Sequence, residues 1–183
     1  MQLLAFFYIS LTMAQVDSIA SSTITINPAK EAVLVQNSYA GCCSQPSFKC
    51  PKCHVQVYDN LKVGNVHYRG NAIFSFDLRN ITAKQCTLNL PTSNIKSVGG
   101  STLNIQRSLA PDFNETEVTW SSAPEVGKTV RSFDVYSGPI DLTELCRESS
   151  GGMMTFFVTP GTATSIDLPS SASKTPLELK IVT

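Results

Sequence analysis

Short runs of apolar and β-branched residues, many alternating with polar ones, recur along almost the whole chain. Clusters of Gly, Pro, Ser, Asn and Asp separate these runs, and such residues favour turns. About ten short strands at this spacing predict an all-β sandwich or barrel. The predicted strands are residues 23–26, 32–35, 55–58, 72–78, 86–90, 101–106, 117–120, 129–135, 153–158 and 177–182.

The run 72–78 illustrates how the alternation assigns side chains to faces. Successive side chains of a strand point to opposite sides of the sheet, so alternate residues share a face. The opposite face includes Asp77, which is predicted to be a turn residue at the end of the run. The face that we predict to be core carries Ala72, Phe74, Phe76 and Leu78.

Only one segment, residues 141–150, has helical spacing. Leu142, Leu145 and Cys146 lie on its apolar side, and the Gly-Gly pair that follows favours helix termination. We therefore expect one short helical turn in an otherwise all-β fold. No repeat or low-complexity linker divides the chain, so a single domain is predicted.

The N-terminus predicts a secretory signal peptide. An apolar run from Leu3 to Ala14 is too short to span a membrane permanently, and small and polar residues follow it. Cleavage after Ala14 or after Ala20 satisfies the requirement for small residues at the cleavage site. We expect residues 1–20 to form the signal peptide, and residues 21–183 to form a secreted, extracellular domain.

Charge and hydropathy restrict the class of partner. Fourteen Lys and Arg residues balance fourteen Asp and Glu residues, which does not favour nucleic acid or an anionic membrane surface. No other run approaches the length of a membrane span, so no membrane insertion is expected.

Asn80 and Asn114 each begin an Asn-x-Thr sequon, and both are predicted glycosylation sites on the secretory route.

Four of the six cysteines lie in the segment 41–54, GCCSQPSFKCPKCH. In a reducing compartment, the Cys50-x-x-Cys53 spacing would predict a zinc site, which the remaining donors could complete. After a signal peptide, the even number of cysteines favours three disulfides instead, so no metal site is predicted. The donors that could complete such a zinc site beside Cys50 and Cys53 are Cys42, Cys43 and His54.

The pairing within this segment stays open. Cys42 and Cys43 are adjacent, so a bond between them would be strained and each is expected to reach a different partner. The simplest scheme pairs them with Cys50 and Cys53. Six cysteines allow fifteen connectivities, and the sequence does not choose among them.

One pairing outside the segment is favoured. Cys86 shares the inward parity of Leu88 and Leu90, and Cys146 lies on the apolar side of the predicted helical turn. Both side chains are therefore expected in the core. We predict a disulfide between Cys86 and Cys146.

The segment 113–124, FNETEVTWSSAP, combines an aromatic residue, an acid, Val-Thr-Trp and a proline in a distinctive order. It resembles the corresponding stretch of the secreted jelly-roll domains named for the sequence DNRLRE and grouped with the family 96 carbohydrate-binding modules. The Phe-Asp-Leu strand end at 76–78 and the order of the later elements resemble that family as well. The Cys-rich segment 41–54 is a departure from the family pattern.

The resemblance covers roughly residues 23–182. It implies a jelly-roll-type β-sandwich that binds polysaccharide at a cell wall or extracellular matrix. The implied partner is a glycan, and the implied protein is a non-catalytic monomer without a required cofactor. A structural calcium ion would suit such a domain, although no ligand pattern in the sequence demands one. The alternative is a structural or adhesive surface protein built from the same sandwich.

Aromatic, amide and cationic side chains are concentrated in the span 55–71. Aromatic rings pack against the C–H groups of sugars, whereas amides and guanidinium groups pair with hydroxyls or carboxylates. This combination predicts a sugar site, with an ordinary polar hairpin as the alternative. The candidate ligand-binding residues are Tyr58, Asn60, His67, Tyr68, Arg69 and Asn71.

Trp120 shares a predicted strand face with Val118 and is expected to fill the core, with sugar stacking as the alternative.

Signatures of catalysis are lacking: the sequence has no nucleophile elbow, zinc-protease helix or phosphate-binding loop. Four carboxylates could in principle supply the two members of a glycosidase or lyase pair, but exposed strand-edge charges are the simpler interpretation. They are Glu115, Glu117, Asp134 and Asp141.

Overall fold

A computed structural model describes residues 21–37, 43–46, 54–91, 96–99, 102–136, 138–171 and 173–183, with the side chains at 37, 43–46, 54, 60, 96–99, 163 and 164 left out. The predicted signal peptide, residues 1–20, lies outside the described residues. The same holds for Cys42, Cys50 and Cys53, and for the side chain of Cys43. The predicted disulfides of the segment 41–54 therefore stay predictions.

The described part of the chain contains thirteen β-strands and one short helix, and the predicted all-β sandwich is confirmed. The elements are β1 (Thr23–Ile26), β2 (Lys30–Asn37), β3 (Cys43–Pro46), β4 (His54–Val63), β5 (Val66–Asp77), β6 (Gln85–Asn89), β7 (Lys96–Gly99), β8 (Thr102–Ser108), β9 (Val126–Asp134), β10 (Ile140–Asp141), α1 (Thr143–Glu148), β11 (Met153–Pro160), β12 (Ala163–Pro169) and β13 (Glu178–Val182).

The strands form two antiparallel sheets. The smaller sheet has the order β1-β13-β6-β10. The larger sheet has the order β7-β12-β4-β5-β11-β8-β9, and β2 pairs with β5 and with β3. Among the described strands, the chain crosses between the sheets after β1, β5, β6, β9, β10 and β12, so each sheet is assembled from distant parts of the sequence.

The main hydrophobic core lies between the two sheets. Ala72, Phe74, Phe76 and Leu78 of the β5 segment are fully buried there, as the alternation predicts. The rings of Phe74 and Phe76 lie 6.0 and 5.9 Å from the ring of Phe156, measured between centroids. Such aromatic contacts add stabilisation beyond the burial of apolar area.

A second, smaller cluster lies on the outer face of the larger sheet, away from the smaller sheet. Ile73 of β5 and Phe157 of β11 are buried there beneath the segment 110–124, and Ala32 of β2, the direct partner of Ile73 in the sheet, lies beside them. The two central strands are therefore covered on both faces. The buried members of this cluster are Ala32, Leu34, Ile73, Phe113, Val118 and Phe157.

The predicted strand 117–120 is wrong, because this stretch forms turns. The backbone N–H of Val118 donates to the carbonyl oxygen of Asn114 at 2.9 Å, and that of Ala123 donates to Thr119 at 2.8 Å. Trp120 accordingly does not enter the core between the sheets. It is partly buried and packs against the outer cluster.

The predicted helical turn is confirmed as α1, and Cys86 and Cys146 form a disulfide that joins β6 to this helix. Their Cα atoms are 6.4 Å apart and both residues are fully buried. The backbone N–H of Leu142 also donates to the carbonyl oxygen of Cys86 at 3.0 Å. The favoured pairing from the sequence is thus the pairing in the structure.

Within the described ranges, no helix combines the length and the apolar character that a membrane span requires.

Candidate functional site

Three of the six candidate binding residues lie in one row on the outer face of β5. His67, Arg69 and Asn71 have the same parity as Ile73, so their side chains point away from the core between the sheets. Neighbours in this row are about 7 Å apart along the strand. His67 and Arg69 are exposed and Asn71 is partly exposed. We call these three residues the polar row.

Polar side chains on the neighbouring strands widen the polar row. Lys62 of β4 lies directly opposite His67, and Gln36 of β2 lies opposite Arg69. Leu34, opposite Asn71, begins the outer apolar cluster. The result is a polar strip, three strands wide, that ends beside a buried apolar cluster.

The sequence did not single out Lys62 or Gln36. A local signal for Lys62 exists, because the two-residue turn that begins at Gly64 fixes the register of the β4–β5 hairpin. Gly64 has a φ of +62°, which suits a type II′ turn. Gln36 has no such signal, since it reaches Arg69 only through the long-range pairing of β2 with β5.

Arg69 is oriented by an ion pair with Asp59. Its Nε lies 3.1 Å from Oδ1 of Asp59, and the two side chains are 66% and 48% exposed. An ion pair this exposed adds little to stability. Asp59 lies where the β4–β5 register is irregular, and such a bulge redirects side chains. A guanidinium has five N–H donors, and the contact with one carboxylate oxygen of Asp59 does not use them all.

The aromatic candidates do not join the polar row. Tyr58 is only 6% exposed, and its ring lies over Gly70, so burial leaves no open face for stacking on a ligand. Tyr68 is partly buried and has the opposite parity to the row. Asn60 belongs to β4, but its side chain lies outside the described part of the chain.

Part of the Cys-rich segment lies close to the polar row in the sheet. The backbone of β3 pairs with β2, with Cys43 opposite Val35. Because β2 also pairs with β5, the local strand order is β3-β2-β5. The segment thus enters the sheet two strands from His67 and Arg69.

The four carboxylates weighed as a catalytic pair accept hydrogen bonds in different parts of the fold. Asp141 accepts from the N–H and hydroxyl of Thr143 at 2.9 and 2.6 Å. These bonds lower the pKa of Asp141, whereas a general acid needs a raised one. Asp134 accepts from the backbone N–H of Tyr136 at 2.9 Å. The remaining two are Glu115, which accepts from the backbone of Glu31, and Glu117, which accepts from Asn114.

Asp77 is the last residue of β5, and its side chain caps the turn that follows. Its Oδ1 accepts from the backbone N–H of Arg79 at 3.0 Å, and its carboxylate also pairs with the guanidinium of Arg79. The hydrogen bond from the Arg79 side chain is the main cause that lowers the pKa of Asp77 to about 2.

No group of three or more His, Cys, Asp or Glu side chains in the described ranges is arranged to hold a metal ion. A groove of about 400 Å³ lies at one end of the smaller sheet. It is lined by Asn89, Leu90, Pro91, Gly138, Pro139, Lys174, Thr175, Pro176 and Glu178.

A larger groove, of about 500 Å³, lies in the segment that covers the outer cluster. We call it the Asn114 groove. Asp112 on its wall is held by Lys30, whose Nζ lies 2.6 Å from Oδ1. The lining residues are Ala110, Asp112, Phe113, Asn114, Glu117, Val118, Ser122 and Pro124.

Comparison of the sequence with models of known protein families gives no match, and comparison with curated proteins gives none either. The resemblance to DNRLRE-type domains therefore stays a prediction.

Proposed function

We propose that this protein is a secreted, non-catalytic module that binds polysaccharide at a cell wall or extracellular matrix. The binding surface is the polar row of His67, Arg69 and Asn71, extended by Lys62 and Gln36. The observation that supports the proposal most directly is the alignment of the polar row on a strand paired along both edges. Such a strand holds its side chains at fixed spacing.

An exposed strip of this kind suits a long polymer better than a small molecule. Imidazole, guanidinium and amide groups offer hydrogen bonds to sugar hydroxyls or carboxylates at regular intervals. Their strand backbone is already ordered, so binding costs little conformational entropy in the main chain. Leu34, at the end of the strip, is only 2% exposed, so the contacts with sugar come from the polar side chains.

The proposal is tested by retention on insoluble polysaccharides, both neutral and acidic. The triple variant His67→Ala, Arg69→Ala and Asn71→Ala should reduce retention at least about tenfold, because it removes every side chain of the polar row. The matched control is Lys128→Ala with Arg131→Ala, which removes two exposed cations from β9 of the same sheet. The control should be retained like the wild type.

Two results would contradict the proposal: no retention of the wild type on any polysaccharide, or equal retention of the triple variant. Circular dichroism and thermal unfolding of each variant check that the fold is intact. A parallel series with chelator tests for the structural calcium ion that would suit such a domain. If chelator abolishes retention, then retention depends on a bound metal.

The alternative of a structural or adhesive protein predicts assembly instead of glycan retention. A nine-residue strand at a sheet edge, such as β9, can pair with another chain. Its exposed Lys128 and Arg131 disfavour that pairing, which supports a monomer. Size-exclusion chromatography and non-reducing electrophoresis distinguish the two, because a building block should form multimers.

A further inference from the structure

The side-chain amide of Asn114 is held from both sides. Its Oδ1 accepts hydrogen bonds from the backbone N–H and the hydroxyl of Thr116, at 3.2 and 2.9 Å. Its Nδ2 donates to Oε2 of Glu117 at 2.7 Å. The amide plane therefore has one fixed orientation, although Asn114 itself is exposed.

The fixed amide stands on the wall of the Asn114 groove. Two apolar residues of that wall, Phe113 and Val118, are 8% and 4% exposed and belong to the outer cluster. The carboxylate of Glu117 and the hydroxyl of Ser122 add hydrogen-bonding groups beside them. A volume of about 500 Å³ falls within the range of pockets that hold small ligands.

We infer that the Asn114 groove is occupied by the first sugars of an N-linked glycan carried on Asn114, so that this glycan packs as part of the fold. The inference rests on the secretory route in the proposed function and is independent of polysaccharide binding. An amide nitrogen has two hydrogens and glycosylation replaces one, so Nδ2 can keep its bond to Glu117. The sugar then extends along the groove, and its C–H face contacts Phe113.

The modification needs a glycosyl donor of the secretory pathway, a lipid-pyrophosphate-linked oligosaccharide whose first sugar is N-acetylglucosamine. The bond that forms joins Nδ2 of Asn114 to C1 of that sugar. The bond that breaks joins C1 to the pyrophosphate, which leaves with the lipid. The proton lost from the amide passes to a base of the transferase, and no oxidant or reductant is involved.

Asn80 provides a control within the same chain. It is exposed in a turn, with a φ of +64°, and it does not line the Asn114 groove. A glycan on Asn80 is expected to extend into solvent. Removing the Asn80 glycan should therefore leave stability unchanged, whereas removing the Asn114 glycan should lower it.

The test compares the full chain made in a glycosylating secretory host with the chain made in a bacterial periplasm, which forms disulfides without this glycan. Glycopeptide mass spectrometry identifies the occupied sequons. We expect glycosylation to raise the melting temperature of the wild type by about 2–4 °C. Asn114→Gln should abolish that rise, whereas Thr82→Ala, which removes the other sequon, should preserve it. Trimming the glycan to one sugar should also preserve it.

The comparison between hosts cancels any intrinsic effect of a substitution on folding. An unmodified Asn114 in secreted protein would overturn the inference, and so would a rise that persists in Asn114→Gln. Retention of the chain inside the secretory host without any glycan would overturn the secretory route and the inference together. Polysaccharide retention of the triple variant reports separately on the polar row.

Discussion

The ring of Tyr58 covers Gly70 so closely that a Cβ atom on Gly70 would lie 2.5 Å from Cε1 of the ring. The two residues are direct partners across β4 and β5, at the point where the register of this pair becomes irregular. A residue without a side chain is therefore required opposite Tyr58. The contact also connects the core strand β5 to the hairpin end that carries His67 and Arg69.

Gly70→Ala is expected to destabilise the protein by about 1–3 kcal/mol, because a buried ring has little room to move away from the added methyl group. Urea denaturation gives the free energy of unfolding. Gly152→Ala is the matched control, since its Cβ would meet only the carbonyl oxygen of Ser149 at 3.8 Å. An equal loss in both variants would show that the Tyr58 contact is not the cause.

Reduction of the Cys86–Cys146 disulfide is expected to lower the free energy of unfolding by up to about 4 kcal/mol. The bridge closes a loop across a sequence separation of 60, and such a constraint limits the entropy of the unfolded chain. Urea denaturation of the double variant Cys86→Ala with Cys146→Ala measures the loss. Reductant added to this double variant separates any effect of the other cysteines, and a double variant as stable as the wild type would contradict the prediction.

Glu31→Ala is expected to cost about 1–3 kcal/mol, because it leaves backbone and hydroxyl donors of Ser171 without their acceptor. Glu31 is 1% exposed, and its carboxylate accepts from the Ser171 N–H at 2.9 Å and from its hydroxyl at 2.9 Å. Chemical denaturation measures the change. Glu125→Ala removes an exposed carboxylate and should have little effect; a similar loss there would argue against the specific role of Glu31.

The ion pair of Asp77 with Arg79 predicts a pH dependence at the acid end. The pKa of Asp77 is lowered from 3.8 to about 2 in the folded protein, so folding favours the ionised carboxylate. The stabilisation is present above about pH 4 and is lost as the pH falls through about 2. The wild type should therefore melt above Asp77→Asn at pH 6, with the gap closing towards pH 2. Arg79→Gln should show the same loss, and an NMR titration of Asp77 near 3.8 would refute the assignment.

The core of β5 could be predicted because its signal is local. Phe74 and Phe76 alternate with smaller residues, and two-residue alternation alone assigns them to one face. The burial of Ile73 on the opposite face had no such signal. It depends on the neighbouring strand β2 and on a cover supplied by the segment 110–124, both of which long-range contacts bring to β5.

The predicted strand at 117–120 failed because side-chain hydrogen bonds compete with strand pairing there. Val-Thr-Trp has a high β propensity, but Thr119 and Ser122 hydrogen-bond to each other's side chain and backbone at 2.8–3.1 Å.

Strand β12 was missed because its composition does not indicate a strand. Its Ala, Ser and Asp residues have low β propensity, yet pairing with β4 on one edge and β7 on the other makes it a strand.

The candidate site could be predicted only in part, because the sequence shows local alternation but does not show strand register. The structure extends β5 back to Val66, beyond the predicted strand 72–78, and the alternation of this longer strand places His67, Arg69 and Asn71 on one face. That Tyr58 is buried over Gly70, and that Gln36 stands beside Arg69, depends on the registers of two strand pairs. Register is set by the whole fold, so local patterns do not reveal it.

The cover over Ile73 and Phe157 also bears on how the chain can be engineered. In the structure, the segment 110–124 contains neither helix nor strand, and on that ground alone it would be taken for a surface loop that could be shortened or replaced. In the folded protein it shields an apolar patch of the central strands from water. A deletion variant would present that patch to neighbouring molecules and should precipitate.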